Sequence, residues 1–286
     1  MIQRVSNEVW AFDCEWVPDL QAGRLIYGFP PDAPDEDVLK EMWRAGGATP
    51  ENPQPFLRTI YCRIASIALI RRHVTEKGEV ELSLKWLPAN PDNPAERDEA
   101  SILRLFLQEG LGRFSGNGAS RNKVQLVGFN SRNADLRILL QRAIVKGLSL
   151  PAFCERMDAK PWESPDVDLM EMVAGFGKNY MVSLNDIARL CGIPGKIGTS
   201  GDDVCGLWFS GNYRKIVEYN CFDAMTTFLV WLRLAYFSGR FSKQEYLEEE
   251  GRLRTMLEKM SQTPEGAYVQ TYLDEWDRLS QCRRDG

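Results

Sequence analysis

The chain has 286 residues, of which 44% are hydrophobic and 26% charged, with a formal net charge of -5. A chain of that length and composition buries a full core and does not stay disordered, and its acidic balance excludes a general polyanion binder held by bulk charge. Contact with nucleic acid must then come from local basic clusters and from cations that neutralise carboxylates. Seven scattered cysteines without C-x-x-C spacing suggest neither a disulfide framework nor a zinc site. One histidine, His73, at the polar end of a predicted strand nearly excludes histidine chemistry. No apolar run reaches the length of a membrane span and the N-terminus lacks a basic-then-apolar leader, so a cytoplasmic protein is expected.

The first predicted element is a strand over residues 9–16. Residues two apart on a strand share a face, so Asp13 and Glu15 point the same way. Two converging carboxylates at a strand end are either a solvated turn or ligands for a hard divalent ion such as Mg²⁺ or Mn²⁺. Residues 17–55 are rich in Pro, Gly and acids and read as loop, apart from a short helix over 37–45 capped by Asp35 and closed by Gly46 and Gly47. This insertion, taken as 18–58, is either a lid or substrate wall, or a surface excursion. Strands follow at 60–71 and 79–87 with a turn at Lys77 and Gly78, and helical apolar spacing covers 95–114.

After a Gly/Asn/Ser-rich connector at 115–122, a strand over 124–129 runs into Asn130, Ser131 and Arg132. Asn133 is the expected N-cap of a helix that continues to Gly147. Asp135 then lies in the first turn, where free N–H groups favour an ionised carboxylate, and it reads equally as a residue that merely stabilises its helix. Residues 148–165 look irregular, and 166–170 read as a short strand or a helix start. Ser183 and Asp186 resemble a capping box for a helix to Leu190. The glycine-rich stretch 193–203 carries Lys196 and lacks the order of a phosphate-binding P-loop. A long helix over 212–236 puts Tyr219 and Asp223 four residues apart on one face. Helices are also expected at 242–260 and 268–281, which divides the chain into an α/β domain, 1–238, and a helical extension, 239–286.

In their order along the chain, Phe12-Asp13-Cys14-Glu15-Trp16, Gly128-Phe129-Asn130 through Asp135, residues 183–196, and Tyr219 with Asp223 resemble the DEDD superfamily of 3′-to-5′ exonucleases, in its tyrosine subgroup. They look most like the predicted bacterial exonucleases related to the proofreading domain of family-B DNA polymerases, with the motifs spread from about Glu8 to Tyr236. The resemblance implies a ribonuclease H-like fold, a mixed five-stranded sheet with helices on both faces. It implies two divalent metal ions, Mg²⁺ or Mn²⁺: Asp13 bridging both, Glu15 and Asp223 completing the first site, Asp135 holding the second. Tyr219 would orient the attacking water, which is deprotonated mainly by the metal, because a phenol with a pKa near 10 is a poor base at neutral pH. Nucleoside 5′-monophosphates would leave from the 3′ end of single-stranded DNA; RNA trimming and a catalytically inactive nucleic-acid-binding module are the alternatives.

The histidine subgroup carries His five residues before the last aspartate, where this chain has Glu218. Where the family's first motif continues with Thr or Ser, this chain has Trp16, read either as a stacking platform for a base or as core opposite the two acids. Asn130, Arg132 and Lys196, with Arg214 and Lys215, are candidate substrate contacts or a solvated basic surface. Asp168 and Asp203 are candidates for caps or for support behind the acids. The C-terminal helices are the expected surface for a protein partner.

Overall fold

The axis of the molecule is strand β1 (Glu8–Pro18). The computed structural model describes residues 2–111, 124–160, 164–175, 181–198 and 201–282. On β1, Val9 and Ala11 face one core while Trp10, Phe12 and Cys14 face another. A strand buried on both faces belongs in the middle of a covered sheet. Accordingly β1 pairs antiparallel with β2 (Cys62–Val74), and β2 with β3 (Val80–Leu87). On its other side β1 pairs parallel with β4 (Gln125–Gly128), and β4 with β5 (Val167–Asp168). The order β3-β2-β1-β4-β5 is the mixed five-stranded sheet expected above.

Helices α1 (Leu20–Tyr27) and α2 (Asp35–Ala45) lie between β1 and β2 in sequence. The Trp10 face is covered by α3 (Glu99–Leu103) with its π-helical continuation Arg104–Gly110, by α4 (Asp135–Val145) and by α5 (Pro151–Asp158). Next come α6 (Leu169–Ala174), α7 (Leu184–Leu190) and α8 (Val204–Phe209). The Val9 face is covered mainly by α9 (Tyr213–Phe237), α10 (Lys243–Ser261) and α11 (Val269–Cys282). Tyr246, Leu253, Tyr272 and Trp276 of the last two helices share that core with Ile70 and Phe228. The buried Arg72–Glu249 pair, 2.7 Å, ties α10 to β2. No helix among the described residues is long and apolar enough to cross a membrane.

Several local expectations give way to side-chain bonds. Asp19 accepts from Gln21 N (3.0 Å) and caps α1 in a stretch read as loop. Gly23 lets α1 sit tightly on α2, since a Cβ there would lie 2.5 Å from Met42 Sδ. Asp35 is the first residue of α2 and not its cap, because its carboxylate is held by Arg24 at 2.6 Å. The helix expected from residue 95 starts only at Glu99, where Asp98 accepts from Ser101 N (2.9 Å). The supposedly irregular 148–165 contains α5, opened by Pro151 at a position that tolerates a missing N–H. The connector at 115–122 lies outside the described residues.

Behind the sheet, Arg142 of α4 is 1% exposed and held by Glu99 (2.8 and 2.7 Å) and Asp19 (2.6 Å). Glu99 also accepts from Ile64 N (2.8 Å), so the cluster joins α1, β2, α3 and α4. Without the guanidinium, the buried carboxylates keep their backbone amide donors from Ile64 and Gln21 but, among the described residues, a single cation, Lys146, 3.3 Å from Glu99. Arg142→Leu is therefore expected to cost about 3–5 kcal/mol in urea unfolding. A midpoint equal to wild type would contradict that role.

Candidate active site

The parallel ladder between β4 and β1 stops at the Val127–Ala11 pair, while β1 runs on. Asp13 and Glu15 thus lie beyond the carboxyl end of the parallel half of the sheet, where open α/β sheets place their sites. With β4 ended, the Cys14 amide donates instead to Asp135 Oδ1 (3.0 Å), which satisfies a buried N–H. Asp135 is the first residue of α4 and 4% exposed. Helix α9 brings Asp223 to the same place. One oxygen from each of Asp13, Glu15 and Asp223 lies within 4.8 Å of the others. Together with Asp135 they line a cleft of about 340 Å³.

Asn133 does not cap α4. The chain turns at Asn130, whose φ is 59°, and the Asn133 and Ala134 amides donate to the Asn130 carbonyl (3.1 and 3.0 Å), which leaves Ala134 at the cap position. Asp168, buried, clamps this turn: it accepts from the amides of Asn130 (3.0 Å) and Arg132 (2.9 Å) and caps α6 through Met170 N (3.0 Å). Gly128 is needed because a Cβ there would lie 2.4 Å from that of Ser131. A left-handed asparagine fixed beside acids is the kind of strained position that structures keep at working sites.

Burial is the largest force on all four acids and raises each. Asp13 stands well above the usual carboxyl range through burial, then through Asp135, Asp223 and Glu15. Glu15 is raised by burial, Asp223 and Asp135. Asp135 is pushed up to about 7 by burial, with backbone N–H groups drawing it partly down. Asp223 rises to about 6, again by burial, with the Tyr219 hydroxyl and Lys196 pulling the other way. Such oxygen donors, crowded and open to a cleft, suit hard divalent cations, which would relieve their mutual repulsion.

Two supporting residues were not anticipated. Asn220 Nδ2 donates to Asp13 Oδ2 (2.7 Å), and Ser66 Oγ donates to Asn220 Oδ1 (3.1 Å). Asn220 follows Tyr219 directly, which is a usable signal; Ser66 is found only through the register that sets it opposite Glu15. Tyr219 is 4% exposed, packed with Val17, Ala65 and Ile216 beneath the cleft rather than on its lining. Burial first, then Asp223, raises its pKa further, so it remains a phenol whose hydroxyl bonds to Asp223.

The substrate candidates divide. A β-bulge between Glu15 and Trp16 re-aims the strand, and Trp16 both lines the cleft and packs at the edge of the second core. Asn130 also lines the cleft. Lys196 is exposed in its loop, anchored through its amide to Asn185 Oδ1 (3.0 Å), and acts electrostatically on Glu15 and Asp223. Arg132 is turned away from the cleft lining: its guanidinium is taken up by the Asp166 carbonyl (3.2 Å) and Glu171 (3.3 Å). Arg214 pairs with Asp92 (2.5 Å), and Lys215 is exposed on α9. Asp203 precedes α8 at its cap position without a side-chain cap bond. The insertion does reach the cleft, through Trp43 of α2 and residues 54–57.

A family model described as a predicted 3′-5′ exonuclease related to the exonuclease domain of PolB matches residues 54–276. That range omits β1, so Asp13 and Glu15 join the site through the geometry and not through the match. Among solved structures, the chain is similar to the family B DNA polymerase from the hyperthermophilic archaeon Pyrobaculum calidifontis, at 16% identity and a TM-score of 0.45, over 81% of this chain and 25% of that one. The chain thus spans about a quarter of that polymerase's length. No curated protein matches it.

Proposed function

From a chain that belongs to the family of predicted 3′-5′ exonucleases related to the exonuclease domain of PolB, we propose an enzyme that shortens single-stranded DNA from its 3′ end, releasing nucleoside 5′-monophosphates. The observation that carries this reading is the convergence of Asp13, Glu15 and Asp223 within 4.8 Å, on a cleft that Asp135 also lines. Asp13, Glu15 and Asp223 would hold one divalent ion, and Asp13 with Asp135 a second. Bound there, Mg²⁺ or Mn²⁺ would supply a water acidic enough to attack at neutral pH and neutralise charge gathering on the phosphate. Water adds to the terminal phosphodiester and the 3′ oxygen of the preceding nucleotide leaves.

The chain's own contribution is positioning. Asn220 fixes one oxygen of Asp13 and is itself fixed by Ser66, leaving the second oxygen free to face the cleft. Tyr219 keeps its proton and holds Asp223, and so orients the water through that carboxylate rather than by acting as a base. Groups behind metal ligands commonly account for 10–100-fold in affinity. Asn220→Ala is thus expected to weaken Mn²⁺ binding about 10–100-fold by calorimetric titration. Unaltered binding would show that Asp13 needs no such support.

The test of the function is digestion of a 5′-labelled single-stranded DNA oligomer with Mg²⁺, with Mn²⁺ and with EDTA, beside an RNA oligomer of the same sequence. The expected product is a ladder receding from the 3′ end that EDTA abolishes. Internal cuts, or no cleavage in any condition, would overturn the reading; preference for the RNA would reassign the substrate.

A further inference from the structure

The insertion gives the cleft a wall unlike its floor. The floor is carboxylate, whereas Trp43, Pro55, Phe56 and Leu57 bring apolar side chains with no charge, two of them flat aromatic rings. Phe56 leaves 78% of its surface in solvent although its neighbour Leu57 packs against the second core. The backbone beneath it is braced. Leu57 seats against Gly46, where a Cβ would lie 2.7 Å from its Cδ2, and Thr49 and Asn52 close a turn by mutual backbone bonds (3.0 and 3.2 Å). Thr59 is tied to Gln141 of α4 at 2.7 Å. An exposed ring on a braced segment at a cleft mouth is preorganised for a flat ligand.

A nucleotide has two unlike halves, an anionic phosphate and a base with a π-face. We propose that Trp43 and Phe56 form a stacking wall for the unpaired bases of the strand whose terminal phosphodiester lies over the acids; this rests on the exonuclease reading above. Every base offers a π-face, so the wall holds a strand without regard to sequence. In a duplex those faces are covered by neighbouring pairs, so the wall also selects single-stranded ends.

The test uses the full chain as wild type, Phe56→Ala and Trp43→Phe. Binding of a 5′-fluorescein oligothymidylate is followed by anisotropy in Ca²⁺, and hydrolysis of the oligomer is compared with that of the methyl ester of thymidine 5′-monophosphate, which has neither a neighbouring base nor a second aromatic ring. Phe56→Ala is expected to weaken binding and raise KM for the oligomer about 5- to 150-fold, with turnover of the ester within twofold of wild type. Trp43→Phe, which keeps an aromatic face, should lose less. Equal losses on oligomer and ester, or undiminished oligomer binding in Phe56→Ala, would overturn the wall. Oligomer binding that needs Phe56 without any hydrolysis would keep the wall and sink the exonuclease; wild type that neither binds nor cuts would sink both.

Discussion

Replacing Asp13 with alanine is expected to lower hydrolysis of the oligomer by at least about 10³-fold while raising the melting temperature of the metal-free protein. Both effects have one cause. Asp13 is raised well above the ordinary carboxyl range by burial and by Asp135, Asp223 and Glu15, so in the absence of cations its charge works against the fold. Removing it relieves three neighbours and leaves only the Asn220 amide without an acceptor, a loss of about 1–3 kcal/mol. A variant that gains stability as it loses activity separates a functional residue from a structural one. Loss of both, or full activity, would refute the role given to Asp13.

The second large effect links pH, metal and stability. Asp135 and Asp223 have folded-state values of about 7 and about 6, against ordinary values near 3.8. A carboxyl with a raised value binds its proton more tightly in the folded state, so its contribution is favourable at low pH and is lost as pH rises from about 4 through the folded value. Metal-free protein should therefore melt about 5–15 °C lower at pH 8 than at pH 5, reflecting a few kcal/mol. Saturating Mg²⁺ at pH 8 should restore most of the difference, because the ion binds the folded form. Asp135→Asn should flatten the metal-free profile by removing a carboxyl that burial raises to about 7. A flat profile in wild type, measured by differential scanning calorimetry in EDTA, would show that the acids do not carry this strain.

Much of the site was legible because its local parts obey backbone periods. Strand alternation placed Asp13 and Glu15 on one face, and the helical repeat placed Tyr219 one turn from Asp223. Asp135 was correctly expected in the first turn of its helix even though the cap was misassigned, since the cap depends on the left-handed turn at Asn130 and its clamp by Asp168. The insertion's first helix was missed because its Asp19 cap and the short run Leu20–Tyr27 precede a Pro- and acid-rich segment by whose composition the whole stretch was read. Arg132 looked available because nothing nearby in the chain announces Glu171 as its partner.

The chain alone determined the residue types, their order and their periodicity, because φ and ψ preferences act over a few residues and leave a readable pattern. Tertiary structure decided which of them meet. The early end of β4 frees the Cys14 amide for Asp135, and the packing of α9 across β1 sets Asn220 against Asp13 and Asp223 beside Glu15. Burial, which dominates the charge state of every acid in the cleft, exists only once those elements have closed, since desolvation depends on the whole surroundings of a group and not on its neighbours in sequence.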